Sequence, residues 1–127
     1  MRLWIVALLV LCSGLVLAAE KQLSFAEAKK MWQQSKDRKE YQTYASEFAQ
    51  FNNHFRLDEK GGCYALARGP VELMLVITHP AGGKYAVVTD VLSDVDNPKA
   101  QCFKGSYRGV ETKNPPFLPF ILQMSMG

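Results

Sequence analysis

VELMLVITHPAGGKYAVVTDV, residues 71–91, decides how this chain is read. Val71 to Thr78 is apolar at every position except Glu72 and Thr78. A strand of that kind is buried on both faces or sits in the centre of a sheet. His79-Pro80-Ala81-Gly82-Gly83 follows, a five-residue link that fits a hairpin. Lys84 to Val91 then reads as the returning strand. On the other side, Cys63 to Ala67 is bounded by Gly61-Gly62 and Gly69-Pro70 and reads as a short preceding strand. The expectation is an antiparallel meander with Val71–Thr78 in the middle.

Working outward, Asn97-Pro98 supplies a helix cap and a first helical residue. Ala100, Phe103 and Tyr107 then share one face, with Cys102 beside that stripe. From Phe120 to Met126 apolar residues alternate imperfectly, which suits a last strand. Pro119 cannot donate to a ladder and belongs at its start or on an edge. Towards the N-terminus, Ser24 and Glu27 form a capping box, and Leu23 can staple onto Ala28. Phe25, Ala28, Met31 and Trp32 fall on one helical face. Lys36-Asp37-Arg38-Lys39 interrupts that pattern. It resumes at Tyr41, Tyr44, Ala45, Phe48 and Phe51, a stripe that fits packing on a sheet. The expected fold class is α+β, with N-terminal helices followed by a β-β-β-α-β antiparallel sheet.

Residues 1–18 have the order of a secretory signal peptide: Arg2, an apolar run from Trp4, and small residues Val16, Ala18 and Ala19 at the boundary. Cleavage after Ala18 and cleavage after Ala19 both fit. A retained membrane anchor is the alternative, but Leu3–Ala19 stands at the short limit for a span. The expected mature chain, 19–127, is one domain, with a helical segment at 19–53 and the sheet region at 62–127. It keeps 14 basic and 12 acidic residues, too small an excess to point to nucleic acid or an anionic membrane. Loss of Cys12 with the leader leaves Cys63 and Cys102. In an oxidising compartment such a pair in a small domain forms a disulfide. It lacks the C-x-x-C spacing of a redox pair, and no histidine stands at zinc-ligand spacing from it. Packing of the second-half helix on the sheet would bring Cys102 to Cys63 and fasten the helix to the sheet edge.

ELMLVITHPAGGKYAVVTDVLSD, the helix NPKAQCFKGSY and the closing NPPFLPFILQM together resemble the C-terminal domain of TonB-type energy transducers. The likeness runs from Glu72 to Gly127, 56 of 127 residues. Phe103 and Tyr107 stand where the family tends to end its helix in tryptophan, and no long proline-rich spacer is present. The resemblance implies a non-enzymatic periplasmic module. Members of that family bind an extended peptide from an outer-membrane partner beside the sheet. On this chain the matching edge is the last strand, with Phe120, Leu122 and Met124 as the candidate partner-binding residues. Such an edge offers unpaired backbone groups that an added strand satisfies. Cover of that edge by the N-terminal helices is the competing arrangement.

No catalytic motif is legible. Ser106, His54, His79, Asp90 and Asp94 form no recognised constellation, and Gly105-Ser106-Tyr107 lacks the spacing of a nucleophile elbow. Asp90, Asp94 and Asp96 do not follow the calcium-loop pattern. No enzyme activity, cofactor or metal is expected. Two functional readings remain. One is an exported adaptor that binds a protein or peptide by strand addition, in the periplasm or outside the cell. The other is a small secreted inhibitor or immunity protein that blocks a hydrolase or toxin, with contacts on the loops Asp90–Asn97 or Arg108–Asn114. A homodimer would be a further way to cover the doubly apolar Val71–Thr78.

Overall fold

The computed structural model describes residues 22–51 and 62–127. The expected leader at 1–18 and His54 lie outside them. Helices α1 (Phe25–Ser35) and α2 (Lys39–Phe51) come first. A 3-10 turn (Tyr64–Leu66) leads into β1 (Val71–Thr78) and β2 (Ala86–Ser93). Helix α3 (Pro98–Tyr107), β3 (Glu111–Thr112) and β4 (Phe120–Met126) complete the chain. The strands form one antiparallel sheet in the order β3-β2-β1-β4. The class is α+β, with β1 between β2 and β4.

Two parts of the expected order are corrected. Cys63 to Ala67 is not a strand: Leu66 N–H donates to the Cys63 carbonyl at 3.2 Å, closing a 3-10 turn. β2 and β4 already occupy both sides of β1, so the segment that leads into β1 cannot pair with it. A two-residue strand, β3, also follows α3 and pairs with Ala86 and Val87. Among the described residues the element order is therefore α-α-β-β-α-β-β in place of helices followed by β-β-β-α-β.

The composition of β1 follows from its surroundings. Val71, Leu73, Leu75 and Ile77 face a core shared with Tyr41, Tyr44 and Phe48 of α2 and with Ala100, Phe103 and Tyr107 of α3. Met74 and Val76 face the other way and, with Ile121 of β4, pack on Ala28 of α1. The chain's own helices thus cover both faces, which is why apolar residues run almost without alternation. Each fully buried aliphatic side chain contributes about 1.5–3 kcal/mol. In β2 the register passes from Val76↔Asp90 to Ile77↔Val88, so Thr89 is an extra, bulged residue. The bulge lets Ala86, Val88 and Val91 all reach the same core. In the hairpin, Gly83 N–H donates to the Pro80 carbonyl at 3.0 Å, and Gly82 has φ +76. That positive φ at the third turn position favours glycine.

Helix α3 begins as its sequence predicts. Asn97 Oδ1 accepts from the Ala100 N–H at 2.8 Å, with Pro98 in the first turn. The disulfide joins Cys63 to Cys102 with a Cα–Cα separation of 5.4 Å. It fastens α3 to the 3-10 turn rather than to a strand. Two other contacts hold the same junction. Lys99 is buried, and its Nζ donates to the Gly69 carbonyl at 2.7 Å while lying 5.5 Å from the Tyr64 ring centroid. Tyr64 in turn meets Phe103 edge-on at 5.1 Å.

Candidate functional site

The two edges of the sheet differ. β3 is two residues long, with exposed Glu111 on it and exposed Lys113 next to it. Short length and charge are the usual devices that blunt an edge. β4 has seven residues, FILQMSM, with no charge and no proline among them. It is the edge on which strand addition has a template.

Which backbone groups of β4 point outward follows from the pairing. In an antiparallel ladder the N–H and C=O of one residue point to the same side, and successive residues alternate. Glu72 directs its N–H to Asp94 Oδ1 and accepts from Asp94 N–H through its carbonyl, so Glu72 faces β2. Val71, Leu73, Leu75 and Ile77 therefore face β4. Their partners Met126, Met124, Leu122 and Phe120 face back. Ile121, Gln123 and Ser125 are left with their backbone groups outward. The Gln123 N–H confirms the parity, because it donates away from the sheet to the Tyr41 hydroxyl at 3.4 Å.

That contact shows how the N-terminal helices treat the edge. α1 lies on one face of the sheet and α2 on the other, so the chain between them passes round β4. Trp32 of α1 packs against both buried clusters. Arg38, in the connection, stacks its guanidinium 4.3 Å from the Phe117 ring centroid. Tyr41, at the start of α2, lies flat on Phe120 with centroids 4.9 Å apart and planes 10° apart. Burial raises the Tyr41 hydroxyl above the usual 10.0, against the opposing pull of its bonds to the Gln123 amide and the Trp32 side chain. The hydroxyl thus stays protonated and neutral. The N-terminal half of the edge is therefore attended by α1, α2 and their connection.

Among the described residues nothing covers the C-terminal half. A groove of about 220 Å³ runs between α2 and β4, lined by Ala45, Phe48 and Ala49 and by Leu122 to Met126. No charged residue is among them. Ser125 is exposed and presents its N–H and C=O there. Its hydroxyl accepts from Gln123 Nε2 at 2.9 Å, and that same amide donates to Glu72 Oε2 at 3.2 Å. Glu72 pairs with Lys29 of α1 at 2.9 Å. This polar chain runs along the α1 face, and the apolar groove lies on the α2 face.

The candidate residues taken from the sequence divide accordingly. Phe120 is 0% and Leu122 4% exposed, both in the core, so their side chains are not free to meet a partner. Met124 is half-buried and lines the groove. Other singled-out polar residues serve local structure. Ser106 Oγ donates to the Cys102 carbonyl at 2.9 Å, within the helix. His79 Nδ1 meets the Pro80 carbonyl at 3.2 Å. Asp90 accepts from Val91 N–H and pairs with Arg108 at 3.3 Å. Among the described residues no group of three His, Cys, Asp or Glu could hold a metal ion. Asp90 to Ser93 belongs to β2, and Glu111–Thr112 to β3, so much of the two expected contact loops is strand. Among the described residues no helix is long and apolar enough to cross a membrane.

Sequence reasoning missed Tyr41, Gln123 and Ser125 as the residues that define the site. Gln123 and Ser125 are the polar positions in β4, and that alternation was their only signal. Comparison with family models, with curated proteins and with solved structures found no match.

Proposed function

We propose that this chain is an exported, disulfide-braced binding module that takes up an extended segment of a partner protein beside the C-terminal half of β4. The observation that carries the reading is the asymmetry of the sheet's two edges. One is two residues long and charged. The other is seven residues long and uncharged, and among the described residues it is open at Ser125 over an apolar groove. An added strand would satisfy the outward N–H and C=O of Ser125. Side chains on alternate positions of that strand would enter the groove. Its 220 Å³ suits one or two small aliphatic side chains, between Ala45 and Ala49 of the helix and Met124 of the strand. The other alternate positions would face the polar Gln123 and Ser125 side chains. The partner segment is thus of alternating polarity and has no charge directed at the helix. The resemblance of Glu72–Gly127 to TonB-type domains, which bind peptides beside their sheet, supports this mode. The disulfide supports an oxidising compartment, the periplasm or outside the cell.

The test uses Ser125→Pro. Proline removes the outward N–H, which this edge strand does not need for its own ladder. Peptides would be selected from a random displayed library against the oxidised protein, and the best binder measured against both forms by fluorescence anisotropy. The reading expects at least about tenfold weaker binding to Ser125→Pro with an unchanged melting temperature. Failure to select any peptide, or equal binding by the two forms, would refute it.

A further inference from the structure

We infer that Tyr41 is a specificity-determining residue of this edge: its hydroxyl closes the centre of β4 and confines strand addition to the segment from Ser125 onward. For its biological meaning the inference rests on the strand-addition reading, but its own test needs no partner.

Four observations support it. The Tyr41 hydroxyl reaches the Gln123 N–H at 3.4 Å, and that N–H points outward from the sheet. Tyr41 is held there, 6% exposed and stacked on Phe120, so the hydroxyl has a fixed place at the edge. Tyr41 belongs to α2 and Gln123 to β4, so the contact spans 82 residues and is not a by-product of local structure. β4 also lacks the charges and prolines that usually protect a long edge. Without Tyr41, the outward groups of Gln123 and Ser125 would form a continuous uncharged template. Such a template pairs with other chains, including β4 of a second copy. With Tyr41 in place the central N–H is occupied, and an incoming strand gains only the bonds at the Ser125 end. A 3.4 Å bond is long and therefore weak. It biases the register without sealing the edge.

Antiparallel pairing of β4 with β4 of a second copy, centred on Ser125, would bring Ser125 against Ser125 and Gln123 against Gly127, and would leave the attended N-terminal half of the edge unpaired. That register needs the N–H that Tyr41 occupies in both copies. Removing both hydroxyls therefore counts twice.

Tyr41→Phe keeps the stack on Phe120 and removes only the oxygen. Two measurements follow. Amide exchange followed by NMR should show Gln123 exchanging more slowly than Ser125 in the unaltered protein, and about threefold faster in Tyr41→Phe than in the unaltered protein. Sedimentation at rising concentration should show Tyr41→Phe self-associating about tenfold more tightly than the unaltered chain. Ser125→Pro in the Tyr41→Phe background should reverse the gain. Equal exchange of Gln123 and Ser125 in the unaltered protein overturns the inference, and that readout survives even if Tyr41→Phe fails to fold. Unchanged Gln123 exchange in Tyr41→Phe, unchanged self-association, or a gain that Ser125→Pro leaves in place overturns it as well. A module that selects no peptide, yet dimerises on loss of the hydroxyl, would sink the proposed function and leave this inference standing.

Discussion

Reduction of the Cys63–Cys102 bond in the intact chain should shift the unfolding transition by an amount that can be worked out. The bond closes a loop with a sequence separation of 39. Chain entropy for a loop of that size corresponds to about 4 kcal/mol, acting on the unfolded chain. The native contacts at the same junction do not depend on it. The contacts of Lys99 with the Gly69 carbonyl and of Tyr64 with Phe103 are made by groups other than the sulfurs and should persist on reduction. The reduced protein should therefore fold, but with a large part of its stability gone, since small domains have about 5–15 kcal/mol in total. With a urea dependence of about 1–3 kcal/mol per M, the midpoint should fall by roughly 1–4 M. The dependence itself should steepen, because the uncrosslinked unfolded chain exposes more surface. The assay is urea denaturation followed by far-ultraviolet circular dichroism, with and without a thiol reductant, and thiol titration to confirm the two states. Midpoints agreeing within about 0.3 M would contradict a chain-entropy role for the bond. They would mean that native contacts alone fix the junction and that the unfolded chain gains nothing from release.

Three other perturbations have definite outcomes. Met74 is fully buried between β1 and α1, so Met74→Ala should cost about 2–5 kcal/mol in the same denaturation assay. Loss within about 0.5 kcal/mol would show that α1 does not seal the second face. Burial raises both Tyr41 and Tyr44 above the usual 10.0, so their neutral forms are the ones the fold favours. Stability from these groups is fully present below about pH 10 and is lost as pH climbs through their raised folded values. Ultraviolet titration of tyrosinate alongside thermal melts checks this, and stability that rises above pH 10 would contradict it. Gly82→Ala places a side chain at φ +76 in open space, and the left-handed conformation should cost about 1–2 kcal/mol in a thermal melt.

How far the sequence reveals this molecule depends on how local each determinant is. The unbroken apolar run of β1 foretells cover on two faces, because only a strand without a solvent side dispenses with alternation. Asn97-Pro98 foretells the start of α3, because a cap is made within four residues. The disulfide follows from the expectation of an export leader, which would leave Cys63 and Cys102 as the cysteine pair. Cys63–Ala67 misleads because strand-like residues need a free neighbour, and β1 has none to offer. β3 is too short to leave a pattern. The bulge at Thr89 is set by pairing across the sheet and not by the residues alone. The half-closed edge is the hardest to foresee: it rests on a tyrosine whose role depends on a backbone group 82 residues away. In sequence Tyr41 is one more member of an aromatic stripe.

Strand addition at the open half of β4 has a direct readout in its backbone amides. The most direct measurement is residue-resolved amide exchange of β4, free and saturated with the selected peptide. The Ser125 amide, unprotected in the free protein, should become strongly protected in the complex. A complex that protects amides elsewhere and leaves Ser125 exchanging at its free rate would contradict it.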